Sequence, residues 1–254
     1  MPLPTAALPA ELPTAAAVPR WRTDLAIAAA GLVALLLWDA SGWDLALVRL
    51  FGNGHGFAWR EHWLTSGVLH RGGYWLSVLL FVWLLLSCWG PWRARMLAPR
   101  QRALWFASTA VCLALIPLLK QASATSCPWS LAEFGGAAHY VSHWRFGVAD
   151  GGSGHCFPSG HASGALAFMS AWFAWRDVRP LRARAMLASV LVLGSVFGLA
   201  QMMRGAHYAS HTLWTAWICW TVCAALHHAA FGPRIGLRAS LKKAPAADRP
   251  DAAR

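Results

Sequence analysis

Six stretches of the chain are mostly apolar over about the length that a helix needs to cross a membrane, and short polar segments separate them. A membrane-spanning helix takes about 20 mostly apolar residues, with a range of about 17–25. The pattern therefore predicts six spans, of which the fourth is the least regular because its purely apolar part begins only near Ala162. The predicted spans are Leu25–Ala40, Tyr74–Gly90, Ala103–Leu119, Phe157–Trp175, Ala185–Met203 and Thr212–Phe231.

The composition agrees with this pattern and excludes two other classes of protein. Of the 254 residues, 57% are hydrophobic and 13% are charged, whereas a soluble domain has about 45–50% apolar and about 25% charged residues. A water-soluble globule and a largely disordered chain are therefore both excluded. We predict an all-α, integral membrane six-helix bundle at 20–231, between a disordered Pro/Ala-rich tail at 1–19 and a basic cytoplasmic tail at 232–254.

The net charge of +12 indicates membrane orientation rather than nucleic-acid binding. Most of the 22 Lys and Arg residues lie in the N-terminal flank, between spans two and three, between spans four and five, and in the C-terminal tail. By the positive-inside rule these segments are cytoplasmic, so both termini are predicted to be cytoplasmic. The sequence contains no basic helix or aromatic-interleaved patch that would indicate a nucleic-acid partner.

Polar residues gather at the opposite, outer ends of the spans, where crossing the membrane does not require them. Three stretches that are distant in sequence contribute them: 120–129, 151–161 and 204–211. Ionisable residues near a membrane interior are costly and usually functional. The first outer loop, 51–73, adds His55, His62 and His70, which we interpret as interfacial residues, with contact to a substrate headgroup as the alternative.

The most informative stretch is Pro158-Ser159-Gly160-His161, which directly precedes an apolar helix. The free N–H groups of a helix start bind phosphate well, and Gly160 allows close approach of the backbone. The Ser159 hydroxyl can donate to a phosphate oxygen, and His161 is placed for proton transfer. The alternative is an N-capping serine with an incidental histidine.

Cationic and histidine side chains complete the candidate site. Lys120 and Arg204 are potential hydrogen-bond donors to a phosphate group. The alternative interpretation is that they are ordinary basic residues at the ends of spans, whose charged heads reach the water at the interface. His207 is a candidate nucleophile or base. Two of the cysteines, Cys127 and Cys156, lie on the predicted outer side, where a disulfide between them and two free thiols are both open.

These residues together resemble the type-2 phosphatidate phosphatase superfamily, the integral-membrane relatives of the vanadium haloperoxidases. Its three signatures are K-x6-R-P, P-S-G-H and S-R-x5-H-x3-D, in that order. Residues 158–161 match the second completely, Lys120 and Pro128 match the first, and His207 matches the histidine of the third. The resemblance covers about residues 75–230 and has the character of a divergent bacterial branch.

Three signature positions depart from the family pattern. Cys127 replaces the arginine of the first signature, Gln201 replaces the arginine of the third, and His211 replaces the aspartate. Arg204, one helical turn after Gln201, is a possible substitute for the missing arginine. A neutral His211 supplies no negative charge to the nucleophile, and Glu133 or Asp150 are the alternative sources of that charge.

The resemblance implies a phosphatase that needs no metal or other cofactor. In it, His207 attacks phosphorus and His161 protonates the leaving oxygen and later activates water. Lys120, Ser159 and the Gly160 amide hold the phosphate oxygens together with Arg204, and His211 orients the nucleophile. Membrane lipids surround the protein, and a lipid phosphate, monoester or diphosphate, is the expected substrate.

The expected location is a bacterial inner membrane, with the active site on the periplasmic side and the substrate entering laterally from the outer leaflet. Several other functions remain open. They are a lipid phosphotransferase with the same site, a non-catalytic relative that binds a lipid phosphate, a metalloenzyme or structural zinc site built on the i, i+4 pairs His207/His211 or His139/His143, and a transporter.

Overall fold

The structure, a computed structural model, describes residues 19–89 and 97–232. The predicted tails at 1–19 and 232–254 lie almost entirely outside these residues, as do two of the arginines used for orientation, Arg93 and Arg95.

Helices dominate the described residues. The α-helices are α1 (Arg20–Ser41), α2 (Trp43–Val48), α3 (Gly73–Trp89), α4 (Pro99–Gln121), α5 (Gly160–Leu166), α6 (Ser170–Trp175), α7 (Pro180–Met203) and α8 (Ala209–Phe231). A π-helical segment, Trp63–Gly72, runs directly into α3, and three short 3-10 turns lie at Pro128–Ser130, Ala132–Phe134 and Ala167–Met169. Two short antiparallel strands, β1 (Gly52–Asn53) and β2 (Gly56–Phe57), pair Gly52 with Phe57.

The prediction of an all-α membrane bundle is confirmed, and each of the six predicted spans has a helical counterpart. Within residues 19–89 and 97–232, four helical stretches are long and apolar enough to cross a membrane: Arg20–Ser41, Trp63–Trp89, Pro99–Gln121 and Pro180–Met203. The helix α8 is similar in length, with 23 residues. The fourth predicted span is different, because it forms only the short run Gly160–Trp175, in which a 3-10 turn separates α5 from α6.

The short fourth segment lies at the centre of the bundle. The helices α5 and α6 pack between α4, α7 and α8, and α3 also contacts α5. Its small residues Ala162 and Ala167 are fully buried, whereas the outer helices expose large apolar side chains such as Leu37 and Leu79. Because its neighbours shield it from lipid, this segment does not need the long, uniformly apolar sequence of an ordinary span.

Three loops meet at one end of the bundle, which we call the loop end: residues 42–62, 122–159 and 204–208. Buried carboxylates hold them in place. Asp150 accepts hydrogen bonds from the backbone N–H and hydroxyl of Ser126 at 2.6 and 2.8 Å. Asp44 accepts from the backbone N–H of Ser210 at 2.9 Å and from its hydroxyl, which anchors the start of α8. The loops are therefore rigid supports for the side chains described below.

A buried ion pair ties the helices together at the opposite end. Nη1 of Arg176 donates to both carboxylate oxygens of Asp24, at 2.9 and 2.7 Å, and both side chains are only 5% exposed. Nε2 of His228 lies 2.7 Å from the same carboxylate. This cluster joins the start of α1 to the ends of α6 and α8.

Candidate active site

A cavity of about 550 Å³ at the loop end brings the three predicted polar stretches together. Lys120 from the end of α4, Gly160 and His161 from the start of α5, and Arg204 and His207 from the turn between α7 and α8 all line it. The side chains of Ser159 and His211 do not line the cavity, and both residues are buried directly behind it.

The start of α5 and the amine of Lys120 form one wall. A Cβ atom built on Gly160 would lie 3.6 Å from Cδ and 4.0 Å from Nζ of Lys120, so the ammonium group packs over the first turn of the helix. The N–H of Ser159 donates to the carbonyl of His211 at 3.1 Å, and its side chain makes no capping hydrogen bond. Its Oγ is buried and has no hydrogen-bond partner within residues 19–89 and 97–232.

His161 is held in place by residues of the π-helical segment. Its Nε2 lies 2.9 Å from the carbonyl oxygen of Leu69, and because a carbonyl only accepts, Nε2 carries a proton. The ring packs on His70 at a centroid distance of 4.6 Å and on Phe197 at 4.9 Å. His70 also lines the cavity, which favours the alternative interpretation of this loop histidine, contact with a substrate headgroup, over that of an interfacial residue. No motif marks it, because it reaches the site only through the packing of the π-helical segment against α5 and α7.

His207 lies in a tight turn between α7 and α8. The backbone N–H groups of Ala206 and His207 donate to the carbonyl of Gln201 at 2.8 and 3.3 Å, and Gly205 takes the positive φ of 69° that this turn requires. Nδ1 of His207 lies 3.3 Å from Nδ1 of His211. Burial, with a smaller contribution from the charge of Lys120, lowers the pKa of His207 to about 3. The ring is therefore neutral at physiological pH. Its other nitrogen, Nε2, takes no part in the contact with His211.

Neither of the two proposed acidic partners reaches the histidine pair. The carboxylate of Glu133 forms an exposed ion pair with Arg49, at 2.5 Å from Nε. The carboxylate of Asp150 is taken up by Ser126 and by the N–H of Gly152 at 2.9 Å. The expectation that one of them supplies a negative charge to the nucleophile is therefore wrong, because both carboxylates are committed to loop structure.

Arg204, the possible substitute for the missing arginine, lines the same cavity as Lys120 and His207. Its Nη1 donates to Oε1 of Gln201 at 3.3 Å, and its Nε donates to the carbonyl of Arg60 at 2.9 Å. Both Gln201 and Arg204 line the cavity. The side chain of Gln201 therefore accepts from the guanidinium group and helps to direct it, while Arg204 provides the positive charge.

A disulfide joins Cys127 to Cys156. It ties the beginning of the 122–159 loop to its end, just before α5. Sγ of Cys156 lies 3.6 Å from Nδ1 of His207, so the disulfide packs against the back of the histidine pair. Cys127 itself lines the cavity.

The two histidine pairs that suggested a metal site differ in the structure. His139 and His143 lie in irregular chain, so their i, i+4 spacing has no helical meaning, and Nε2 of His143 contacts a carboxylate oxygen of Asp39 at 3.2 Å. His207 and His211 do lie together and form, with Cys156, a group of possible metal ligands.

The other half of the cavity is apolar. Val78 and Phe81 of α3, Leu113 and Pro117 of α4 and Gly164 of α5 line it. One cavity therefore combines a cationic, histidine-rich end with an apolar groove between two membrane-spanning helices.

Comparison with known proteins assigns a family. No curated protein and no solved structure matches the chain significantly. The model of the PAP2 superfamily matches residues 102–234, just over half of the chain, and this range contains all the candidate site residues named from the sequence. This superfamily is the one whose signatures Lys120, residues 158–161 and His207 resemble, and its members are generally phosphatases that act on phosphate esters. The chain thus belongs to the PAP2 superfamily as a multi-pass membrane protein of the phosphoric ester hydrolase type.

Proposed function

We propose that the protein hydrolyses a phosphate monoester or diphosphate on a lipid at the periplasmic face of the membrane, through a phosphohistidine intermediate. The observation that carries this proposal is the single cavity in which Lys120, His161 and His207 line one end and apolar residues of α3 and α4 line the other. An amphiphile with an anionic headgroup fits both halves.

The cationic end holds the phosphate. The ammonium of Lys120 and the guanidinium of Arg204 both line the cavity and offer charged donors to its oxygens. The amide of Gly160 lies at the start of α5, where the helix dipole favours an anion. The buried Oγ of Ser159 has no partner among the described residues, and it becomes a further donor when the side chain turns into the cavity that it does not line in the free site. These groups stabilise the charge on the equatorial oxygens of the transition state.

His207 is the nucleophile. If its Nδ1–H donates to Nδ1 of His211 at 3.3 Å, its Nε2 carries the lone pair that attacks phosphorus. The bond from phosphorus to the lipid oxygen breaks as the N–P bond forms. Because the pKa of His207 is lowered, the ring needs no deprotonation before attack.

His161 moves the protons. It protonates the leaving oxygen of the lipid and then takes a proton from the water that attacks the phosphohistidine, so that inorganic phosphate is released and His207 is regenerated. The acid is the doubly protonated ring, whose second proton is taken up together with the anionic substrate: Nε2–H stays on the carbonyl of Leu69, and Nδ1 gives its proton to the leaving oxygen and later takes one from the attacking water.

Two alternatives use the same cavity. A second lipid could replace water as the acceptor, which would make the protein a phosphotransferase. A relative that binds a lipid phosphate without turnover is the other, and the replacement of the signature aspartate by His211 favours it. Analysis of the products distinguishes the first alternative from hydrolysis, because transfer yields a new phosphorylated lipid and hydrolysis yields inorganic phosphate. Any turnover distinguishes both enzymes from a protein that only binds the lipid.

The experiment is phosphate release by the purified full-length protein in detergent from a panel of lipid phosphates and lipid diphosphates. His207→Ala and His161→Ala are expected to abolish release, and His55→Ala, at an exposed loop position, is the matched control. Brief incubation with substrate labelled in its phosphate should leave an acid-labile, base-stable label on the wild type and none on His207→Ala. Full release by His207→Ala would overturn the proposal.

A further inference from the structure

The histidine pair is packed against a sulfur atom and is buried in the protein. Sγ of Cys156 lies 3.6 Å from Nδ1 of His207, which lies 3.3 Å from Nδ1 of His211. The three potential ligand atoms are within 4.8 Å of one another. All three residues are at most 4% exposed. The proposed catalytic chemistry accounts for the Nδ1–Nδ1 contact and leaves the sulfur atom beside it unexplained.

The spacing matches the coordination geometry of zinc. Tetrahedral zinc with Zn–N bonds of about 2.0–2.1 Å and Zn–S bonds of about 2.3 Å places two nitrogen ligands about 3.3 Å apart, and a nitrogen and a sulfur about 3.6 Å apart. Both observed separations equal these values. Two of the three separations between the ligand atoms therefore have tetrahedral values before any metal binds, and the third is at most 4.8 Å.

The disulfide keeps this site closed. Zinc binds thiolates, and in the structure Cys156 is bonded to Cys127. A dithiol reductant would break the S–S bond, leaving two cysteine thiols and the oxidised, cyclic disulfide of the reductant. Zn²⁺ would then displace the thiol protons to solvent. The Cα atoms of the two cysteines are 5.2 Å apart, so rotation about the Cα–Cβ bond of Cys127 brings a fourth ligand to the metal.

An ion can reach the site through the cavity, which both Cys127 and His207 line. Once bound, it would occupy Nδ1 of His207. A neutral imidazole that coordinates through Nδ1 carries its proton on Nε2 and has no lone pair left for phosphorus.

We propose that reduction of the Cys127–Cys156 disulfide opens a latent Cys2His2 zinc site formed by Cys127, Cys156, His207 and His211, and that zinc bound there blocks the phosphate reaction. The site itself follows from the geometry alone. Only the blocking of the reaction rests on the proposed phosphatase function.

The test compares three forms of the full-length protein in detergent: the oxidised wild type, the wild type reduced with dithiothreitol, and Cys127→Ser/Cys156→Ser. The double variant has neither disulfide nor thiolate, so it controls for loosening of the loop. After anaerobic removal of the reductant, each form is incubated with zinc chloride, desalted and analysed for metal. In parallel, Co²⁺ is added and thiolate-to-cobalt charge-transfer absorption is recorded.

The reduced wild type is expected to retain one zinc per chain and to show the cobalt–thiolate band, whereas the oxidised wild type and the double variant show neither. Equal metal content in the reduced wild type and the double variant would overturn the site. Phosphate release by the reduced wild type should fall at least tenfold with zinc and return with a chelator. Unchanged phosphate release by the zinc-bound, reduced wild type would overturn the proposal that zinc blocks the reaction. If the oxidised wild type releases no phosphate, the phosphatase proposal fails while the metal readouts still test the site.

Discussion

Nδ1 of His207 and Nδ1 of His211 face each other at 3.3 Å, so a histidine stands behind the proposed nucleophile where the family signature has an aspartate. A neutral imidazole can accept one hydrogen bond and select the tautomer of its neighbour, but it brings no charge to balance the cation that forms on phosphorylation. An aspartate at this position both orients the nucleophile and supplies negative charge, whereas His211 can only orient it.

We expect His211→Ala to lower kcat by roughly 10²-fold or more with little change in KM, because the tautomer and orientation of His207 are lost. His211→Asn, whose amide oxygen can still accept from Nδ1–H, should recover part of that loss. Steady-state kinetics on the same lipid phosphate measure both. Equal activity of the two variants would show that the hydrogen bond has no role in turnover.

Arg204→Lys should weaken phosphate binding, because an ammonium cannot copy the fork of a guanidinium that is held by Gln201 and the carbonyl of Arg60. We expect the inhibition constant of inorganic phosphate to rise about tenfold, which corresponds to about 1.4 kcal/mol. The same substitution at the exposed Arg145 of the 122–159 loop is the control. An unchanged inhibition constant would remove Arg204 from the phosphate site.

A bulky side chain in the apolar groove should reduce the hydrolysis of substrates with long lipid chains more than that of substrates with short ones. Val78→Trp places an indole in the cavity between α3 and α4, so hydrolysis of a long-chain lipid phosphate should fall strongly while that of a short-chain, water-soluble phosphate ester persists. Leu79→Trp, on the next residue of α3 and 65% exposed on the outside of the bundle, is the matched control. Parallel losses for both chain lengths would argue against a lipid chain in this groove.

The lowered pKa of His207 predicts a specific pH dependence of stability. The folded protein holds this histidine neutral down to a pH of about 3, whereas the unfolded chain takes up a proton near the ordinary value of 6.5. Its contribution to stability is therefore complete above pH 6.5 and is lost as the pH falls from 6.5 towards 3. The Tm of His207→Gln should decline less than that of the wild type between pH 7 and pH 4.5, and His55→Gln should follow the wild type.

The Asp24–Arg176 pair predicts a large effect on stability far from the site. Asp24→Ala leaves a buried guanidinium without its counter-ion, which we expect to cost about 3–5 kcal/mol in free energy of unfolding. Asp177→Ala, which removes the half-exposed partner of Arg20, should cost about 1 kcal/mol or less. Denaturant unfolding in detergent measures both free energies. Similar losses for the two variants would show that the buried Asp24–Arg176 pair contributes no more to stability than an exposed pair.

Sequence reasoning predicted the helices well and brought the motif residues into view, because both are local signals. Apolar stretches of about 20 residues mark spans wherever lipid is the surrounding solvent, and residues 158–161 carry their chemistry within one turn. The fourth segment escaped this rule because protein, not lipid, surrounds it. Its small, buried residues such as Ala162 and Ala167 do not produce a long apolar signal.

The parts that were missed depend on contacts between distant residues. His70 enters the cavity through packing on His161, 91 positions away in the chain. Glu133 was a reasonable candidate partner until the structure placed it against Arg49, which is 84 positions away. The spacing of residues in the sequence predicts neither contact, because each forms between helices and loops that are distant in the chain.

The cluster around Asp24 also constrains how the protein is made. Asp24 and Arg176 are separated by 152 positions, and at about 5–20 residues per second of synthesis the carboxylate waits on the order of 10 s for its counter-ion. During that interval the first helix emerges from the ribosome with an uncompensated anion near its start. Its start is therefore expected to stay in the hydrated headgroup region until α6 brings Arg176, and the cluster is complete only when α8 brings His228.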